Sequence, residues 1–365
     1  MSWLDLQDVT VRFGDALTAL DNVSMSMTEG EFLTVVGPTN AGKSTLLKTV
    51  AGLERPVAGR LWLAGREIGA LEPRDRRISM LFQNIALFPT MTGHENLAFA
   101  LRVSGLDNAE IAQRVAQTAD LLKVSHLLDR MPRTFSGGEQ QRVAIGRALV
   151  APSDLLMLDE PLTNLDARIR IALRLEFKAL HRQTGKSILY VTHDQTEAMS
   201  LSDRIGVLNN GRFEQIGTPD ALYHHPATAF VAGFIGTPPM NLLPARIEEA
   251  DGGGLQASGD GFRVAVAGRA PAQRPGETAI GIRPEAIRVA PEETPETPLA
   301  AEIVWVERLG GHHVLDIRLG AQTIRARTRS DHSVSHAGAA WLGFTPRADH
   351  ILDRRRGVFL RGVMQ

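Results

Sequence analysis

The sequence predicts an α/β domain built around a parallel sheet and a phosphate-binding loop, interrupted by a block of helices and followed by a small all-β domain. Three observations lead there. The stretch GPTNAGKST, residues 37–45, fits the spacing G-x-x-x-x-G-K-[ST]. Two further apolar runs, 155–158 and 187–191, read as strands buried on both faces. Beyond Thr237-Pro238-Pro239 the pattern changes to short β-like runs separated by Gly and Pro.

The phosphate loop sits in the context its chemistry needs. Residues 31–36 (EFLTVV) form a short apolar run that reads as a buried strand. Residues 44–51 (STLLKTVA) read as a helix that Gly52 ends. A strand, a glycine-rich turn and a helix start aim backbone N–H groups at phosphate oxygens. Lys43 can reach the β- and γ-phosphates, and Ser44 can place its hydroxyl on Mg²⁺. Asn40 stands inside the turn, where it tolerates a left-handed backbone better than most residues.

The chain has 365 residues, enough for two domains with a full core in each. Its 43% hydrophobic and 22% charged residues are ordinary for a globular protein, and a net charge of −1 argues against a broad nucleic-acid surface. The absence of cysteine excludes disulfides, thiolate catalysis and Cys-ligated zinc, and suits a reducing compartment. The N-terminal MSWLDLQD has acidic residues and no long apolar run, so no secretory signal is expected there. No apolar stretch approaches the roughly 20 residues that span a bilayer, so a membrane role would have to come through a partner.

Residues 3–14 (WLDLQDVTVRFG) alternate in part and read as an edge strand running into a turn. Phe13 suits either the core or a flat platform for a nucleotide base. Residues 19–27, 59–63 and 78–82 read as further strands, and the charged stretch 72–77 (EPRDRR) as a solvated loop. Residues 83–89 (QNIALFP) close on Pro89, which does not fit a central strand. Residues 95–103, 108–122 and 139–150 carry apolar residues at helical spacing and mark an inserted helical block. Within it, FSGGEQQR (135–142) opens a helix at Ser136-Gly137-Gly138. Its free N–H groups and hydroxyl make either a second anion site or simply a glycine-containing N-cap.

LLMLDE (155–160) places Asp159 and Glu160 at the C-terminal end of a buried strand, the edge where open α/β sheets bind ligands. Asp159 can join a Mg²⁺ shell and Glu160 can polarise water; two solvated acids at a strand end are the other reading. A long amphipathic helix follows at 167–183, then the strand 187–191, with His193 just beyond it at the same edge. Residues 197–202 are helical, and 205–208 with 212–216 form a hairpin across Asn209-Asn210-Gly211. Short helical pieces fill 217–236. The proline pair then marks a boundary between domains 1–236 and 237–365. In the second domain, runs at 242–247, 262–266, 278–282, 301–308, 313–318 and 322–325 suggest a small β-barrel. Residues 290–298 (APEETPETP) read as a mobile polar loop and Arg354-Arg355-Arg356 as a solvated turn.

In this order the motifs resemble the ATP-binding subunits of ABC transporters, and the resemblance runs the length of the chain. GPTNAGKST looks like Walker A, Gln83 like the Q-loop glutamine, FSGGEQQR like the family signature and LLMLDE like Walker B. Asn164-Leu165-Asp166 looks like the D-loop and His193 like the switch histidine. VTHDQTEAM and FQNIALFPTMT resemble the bacterial sugar-importer branch, similar to the maltose-importer ATPase. NLLPARI, GIRPEAIRV and ERLG resemble its C-terminal oligomer-binding-type (TOBE) domain. Thr39, Asn40, Phe135 and Glu139 depart from the family's usual Ser, Gly, Leu and Gln.

The resemblance implies a P-loop NTPase fold with an inserted helical subdomain at about 90–150, an OB-like all-β domain after it, and ATP with Mg²⁺ as cofactors. ATP would be sandwiched between two subunits, in a homodimer or a pair of close paralogues. One subunit would offer Gly37, Pro38, Thr39, Asn40, Ala41, Gly42, Lys43, Ser44 and Thr45. The other would offer Ser136, Gly137, Gly138 and Glu139. Phe13 would stack on adenine, and Asp166 would adjoin the nucleotide. Ser44, Gln83 and Asp159 would serve the metal. Glu160 would orient or deprotonate the attacking water, while Lys43 and His193 would hold the γ-phosphate. Gln83 would report to residues 84–89, where the family receives a coupling helix from membrane permease subunits. Hydrolysis would power solute uptake from the cytoplasmic face of the membrane, with a solute-binding protein acting indirectly and no nucleic acid involved. Sugars are the first expectation for the solute; polyamines, glycerol phosphate and metal ions are alternatives. Two other classes compete. A soluble ABC ATPase acting on DNA or ribosomes would carry coiled-coil insertions, tandem halves or basic arms, and the sequence has none of them. A regulator with a dead ATPase is opposed by intact Lys43, Asp159, Glu160 and His193.

Overall fold

The computed structural model describes residues 2–14, 17–84, 87–163, 165–250, 254–268, 276–331 and 336–360. By packing, the chain divides into two units, Met1–Pro219 and Asp220–Gln365.

The first unit opens with β1 (Leu4–Phe13) and β2 (Leu17–Met27), which with β4 (Ala58–Leu63) and β5 (Arg66–Glu67) form an antiparallel sheet in the order β2-β1-β4-β5. β1 is therefore paired on both sides and is not the edge strand expected of it. Its alternation reports one solvated face, which an inner antiparallel strand shares with an edge strand.

The second sheet is built from strands with no solvated face. β3 (Phe32–Val36), β7 (Leu155–Asp159) and β8 (Ile188–Thr192) are buried at every position. Such strands need cover on two sides, which parallel pairing through helical crossovers supplies. With β6 (Ile78–Leu81), β9 (Arg204–Asn209) and β10 (Arg212–Gly217) the order is β10-β9-β3-β8-β7-β6, parallel except for β10. Successive side chains go to opposite faces. Leu33, Val35, Met157 and Leu189 join one core with Leu46, Leu47 and Val50 of α1 (Lys43–Ala51) and the inner face of the antiparallel sheet. Phe32, Leu156, Leu158 and Tyr190 join the other core with the helices α2 (Gly93–Val103), α3 (Asn108–Leu121), α4 (Gly137–Val150) and α5 (Ala167–Thr184). α6 (Gln195–Leu201) follows β8.

The stretch 72–77 is not the wholly solvated loop its charges suggest. It contains a 3₁₀ turn, Pro73–Asp75, and Arg76 is buried because main-chain carbonyls take up its guanidinium.

In the second unit α7 (Pro219–His224) and α8 (Ala229–Phe234) precede an all-β body. One sheet joins β11 (Asn241–Glu249), β12 (Leu255–Gly259), β13 (Phe262–Val266), β14 (Thr278–Ile282), β20 (Ile351–Asp353) and β21 (Val358–Phe359). The other joins β15 (Arg288–Ala290), β16 (Leu299–Arg308), β17 (His312–Leu319), β18 (Gln322–Arg329) and β19 (Gly338–Gly343). Both sheets line one apolar core. The Pro-rich stretch 290–298 is held by a turn between Thr294 and Thr297, with Thr297 buried and Glu296 paired to Arg288 at 2.5 Å. Among the described residues no helix is long and apolar enough to cross a membrane.

Candidate active site

Parallel pairing decides where the site lies. β3, β6, β7 and β8 turn their C-terminal ends to one edge of the sheet, so the segments that follow them meet there. Those segments carry the phosphate loop, Gln83, Asp159 with Glu160, and His193.

The loop's backbone requires glycine at two places. A Cβ on Gly37 would lie 2.1 Å from the Leu208 carbonyl oxygen. Gly42, the N-cap of α1, has φ +104°, and a Cβ there would meet the Ala19 carbonyl oxygen at 2.5 Å. Asn40 adopts φ 64°, the left-handed turn its side chain tolerates. Pro38, Thr39 and Asn40 are exposed at the crest, Ala41 is buried, and Ser44 and Thr45 begin the helix. No side chain caps α1, which leaves its first N–H groups for an outside acceptor. Lys43 is buried, and its Nζ donates to the carbonyls of Gly37 at 2.9 Å and Pro38 at 2.8 Å. Burial pushes its pKa down, while Glu160 and Asp159 push it back up. The ammonium thus sits on carbonyls that phosphate oxygens could replace.

Asp159 ends β7 and is only 6% exposed. Burial, and after it the charge of Glu160, pushes its pKa up; a hydrogen bond from Ser44 and the charge of Lys43 act the other way. Its Oδ1 is buried without a hydrogen-bond partner. A buried carboxylate oxygen lacking a donor, next to a hydroxyl, fits Mg²⁺, which takes one or two carboxylates and completes its shell with phosphates and water. The described residues contain no cluster of three or more His, Asp or Glu that could hold a metal alone.

Glu160 faces elsewhere. Its Oε2 is met by Gln83 Nε2 at 3.3 Å, His193 Nδ1 at 3.1 Å and Thr163 Oγ1 at 3.1 Å. Its N–H donates to the Val191 carbonyl at 2.9 Å, and its φ is +46°. A left-handed backbone at a non-glycine residue costs on the order of 1 kcal/mol and persists where the surroundings enforce it. That turn separates the two neighbouring carboxylates.

Two further residues support the site without any signal in the sequence. Thr163 reaches Glu160 from the turn after β7. Gln141, buried on α4, donates to the Pro161 carbonyl and so ties α4 to that turn. Neither residue type carries a signal at its position beyond lying within or next to a recognised motif.

Ser136, Gly137, Gly138 and Glu139 lie at the start of α4. Ser136 donates its N–H and hydroxyl to Glu139 Oε2, both at 2.8 Å, and Glu139 N–H returns to Ser136 Oγ at 3.4 Å, a capping box. With His126 Nε2 at 3.1 Å from the other oxygen, these bonds hold the Glu139 pKa down to about 2, the Ser136 N–H contributing most. Within one chain the segment is an N-cap; an incoming anion would have to draw Ser136 away from Glu139. Phe13 ends β1 and is 41% exposed, outside the apolar cores. Asp166 is the N-cap of α5, accepting from Ile169 N at 3.0 Å, and Asn164 lies outside the described residues. Beyond Gln83, Ile85 and Ala86 also lie outside them; Phe88 packs 4.6 Å from Phe99, under the Arg147 guanidinium at 5.1 Å. Phe99 is exposed, as is Phe82 just before Gln83.

Residues 20–163 match the ABC transporter family model, 236–287 the MalK OB fold domain and 280–352 the TOBE domain. The sn-glycerol-3-phosphate import ATP-binding protein UgpC of Ruegeria pomeroyi is 43% identical, over 98% of this chain and 99% of its own length. UgpC of Cereibacter sphaeroides is 48% identical over 84% of this chain and 85% of its own. Among solved structures, the dimeric post-hydrolysis ATP-binding cassette MJ0796 bound to ADP and Pi superposes with a TM-score of 0.53 at 29% identity, covering 59% of this chain and 98% of that one. CbiO1 of Clostridium perfringens, part of the cbiONQ transporter complex, gives 0.57 at 26% identity, covering 61% and 91%.

Proposed function

The chain belongs to the ABC transporter family of ATP-binding proteins, and from that premise we propose that it is the ATP-hydrolysing subunit of an importer. The observation that carries the chemistry is the meeting of Gln83, Thr163 and His193 on Glu160, one residue beyond the buried Asp159.

ATP binds with its phosphates in the loop 37–45, where the N-terminus of α1 and Lys43 face a polyanion. Phe13 offers its ring to the base. Asp159 and Ser44, together with Gln83, would hold Mg²⁺, which would supply neutralising charge to the ATP phosphates. Glu160 takes the proton of the attacking water or orients it, and Gln83, Thr163 and His193 fix the carboxylate for that task. His193 then stands ready to hydrogen-bond the γ-phosphate as charge develops on it. A second copy, or a close paralogue, completes the site with Ser136, Gly137, Gly138 and Glu139, and Asp166 adjoins the nucleotide. Two helix N-termini then face the same phosphates, and neither protomer closes the site alone.

The partners are permease subunits, received near Gln83 and the aromatic pair Phe88–Phe99, on the cytoplasmic face of the membrane. A solute-binding protein acts indirectly. The relatives' names make sn-glycerol 3-phosphate the first solute to test, with carbohydrates next. Polyamines and metal ions are the remaining alternatives. We place the domain division at 236/237, where the OB-like TOBE domain begins.

Phosphate release from ATP by the full-length chain tests the reading. Release should require Mg²⁺ and should fall by about 10²–10⁴-fold in Glu160→Gln. Release that survives EDTA, or that the substitution leaves unchanged, contradicts it.

A further inference from the structure

Arg76 is the most deeply buried of the described charged side chains, 2% exposed, and the chemistry above leaves it unused. No carboxylate among the described residues forms an ion pair with it; Glu72, whose charge acts on it, is paired with Arg55 at 2.7 Å. The guanidinium is satisfied by main-chain carbonyls instead. Nη1 donates to Thr49 at 2.8 Å and Val50 at 2.9 Å, Nε to Leu71 at 3.0 Å, and Nη2 to Gly69 at 3.1 Å.

Those carbonyls belong to separate parts of the first unit. Thr49 and Val50 lie at the C-terminal end of α1, whose other end carries the phosphate loop. Gly69 and Leu71 follow β5 of the antiparallel sheet. Arg76 itself stands just before β6, whose far end leads to Gln83. Gly52, the left-handed C-cap of α1, lets the side chain pass beneath the helix end, because a Cβ there would lie 2.5 Å from Arg76 Nε. A cation at a helix C-terminus is favourable, and a planar five-donor fork is the one side chain that can bridge so many carbonyls.

We propose that Arg76 is a positioning residue for ATP hydrolysis, fixing the phosphate loop, through α1, against Gln83 and Glu160, through β6 and its neighbour β7. The inference rests on the ATPase reading. The phosphates travel with α1, since Lys43 and the helix N-terminus bind them, so nucleotide binding tolerates a tilt of that helix. In-line attack does not, because Glu160 and Gln83 stand on other strands, and a displacement of about 1 Å can cost about 100-fold in rate.

Steady-state ATP hydrolysis by full-length Arg76→Lys and Arg76→Gln tests this, assayed well below each melting temperature. The expected result is a kcat lower by about 10- to 100-fold with KM for ATP within about threefold of wild type. Adding Gln83→Ala to Arg76→Lys should lose less than the product of the single losses, since both act on one geometry. Gly52→Ala keeps the guanidinium but presses on it, and should show the same loss of kcat if the Arg76 variants do not fold. An unchanged kcat per folded molecule in these variants, or a raised KM with kcat retained, overturns the inference while leaving the ATPase reading intact. A wild-type chain that releases no phosphate overturns both.

Discussion

Asp159 and Glu160 are adjacent in the chain, yet one is buried with an unsatisfied oxygen and the other is hydrogen-bonded on three sides. The burial of Asp159 has a consequence for stability. Its pKa is raised above 3.8 by burial and by Glu160, so the fold disfavours its ionised form. A carboxyl with a raised folded-state pKa favours the fold most below its unfolded value, and that contribution is lost as the pH climbs through the raised one. Asparagine removes the charge and with it the penalty at neutral pH. Nucleotide-free Asp159→Asn should therefore melt above wild type at pH 7, the gap narrowing as the pH falls toward 3.8, and it should bind Mg²⁺–ATP more weakly. Thermal melts across pH check the first statement and nucleotide titration the second; a variant that melts lower at pH 7 than at acid pH relative to wild type would reverse the sign.

At the scale of elements, what was legible followed from periodicity and from backbone demands. Largely apolar runs located β3, β7 and β8, and their parallel pairing alone gathers the phosphate loop, Asp159, Glu160 and His193 at one edge. The helix at 44–51 and its Gly52 stop lie where α1 and its left-handed cap lie. The hairpin across Asn210-Gly211 has both residues at positive φ, as a type I′ turn requires. What was not legible depends on tertiary partners. β1 alternates like an edge strand yet is paired on both sides. EPRDRR has the composition of a solvated loop, and nothing local announces that Arg76 will find two carbonyls at the end of α1 besides those of Gly69 and Leu71. Strands of two or three residues, such as β15, β20 and β21, are too short to show a period. The place of Thr163 and Gln141 is likewise set by the fold, not by spacing.

At the scale of the whole chain, the helices α7 and α8 bear on how the protein can be divided. Arg283 donates to the carbonyls of Tyr223, Ala232 and Ile235 and lies 4.1 Å over the Tyr223 ring, so these helices are bonded into the second unit. Packing accordingly divides the chain at Pro219, whereas the proline pair and the OB fold match place a division near 236. Chains ending at 219 and at 236 should both bind ATP, since every proposed nucleotide ligand precedes both ends. The longer one keeps α7 and α8 without Arg283 and should aggregate sooner, by light scattering; equal behaviour would show that the helices need no second unit. In the proposed assembly two copies of the chain close ATP between the phosphate loop of one protomer and Ser136–Gly138 of its partner. Size-exclusion chromatography of Glu160→Gln with ATP and Mg²⁺, followed by nucleotide analysis of the eluted peak, tests it most directly. The expected result is a dimer peak holding unhydrolysed ATP, absent in Asp159→Asn; a monomer that binds ATP without associating, or a dimer peak holding only ADP, would rule that assembly out.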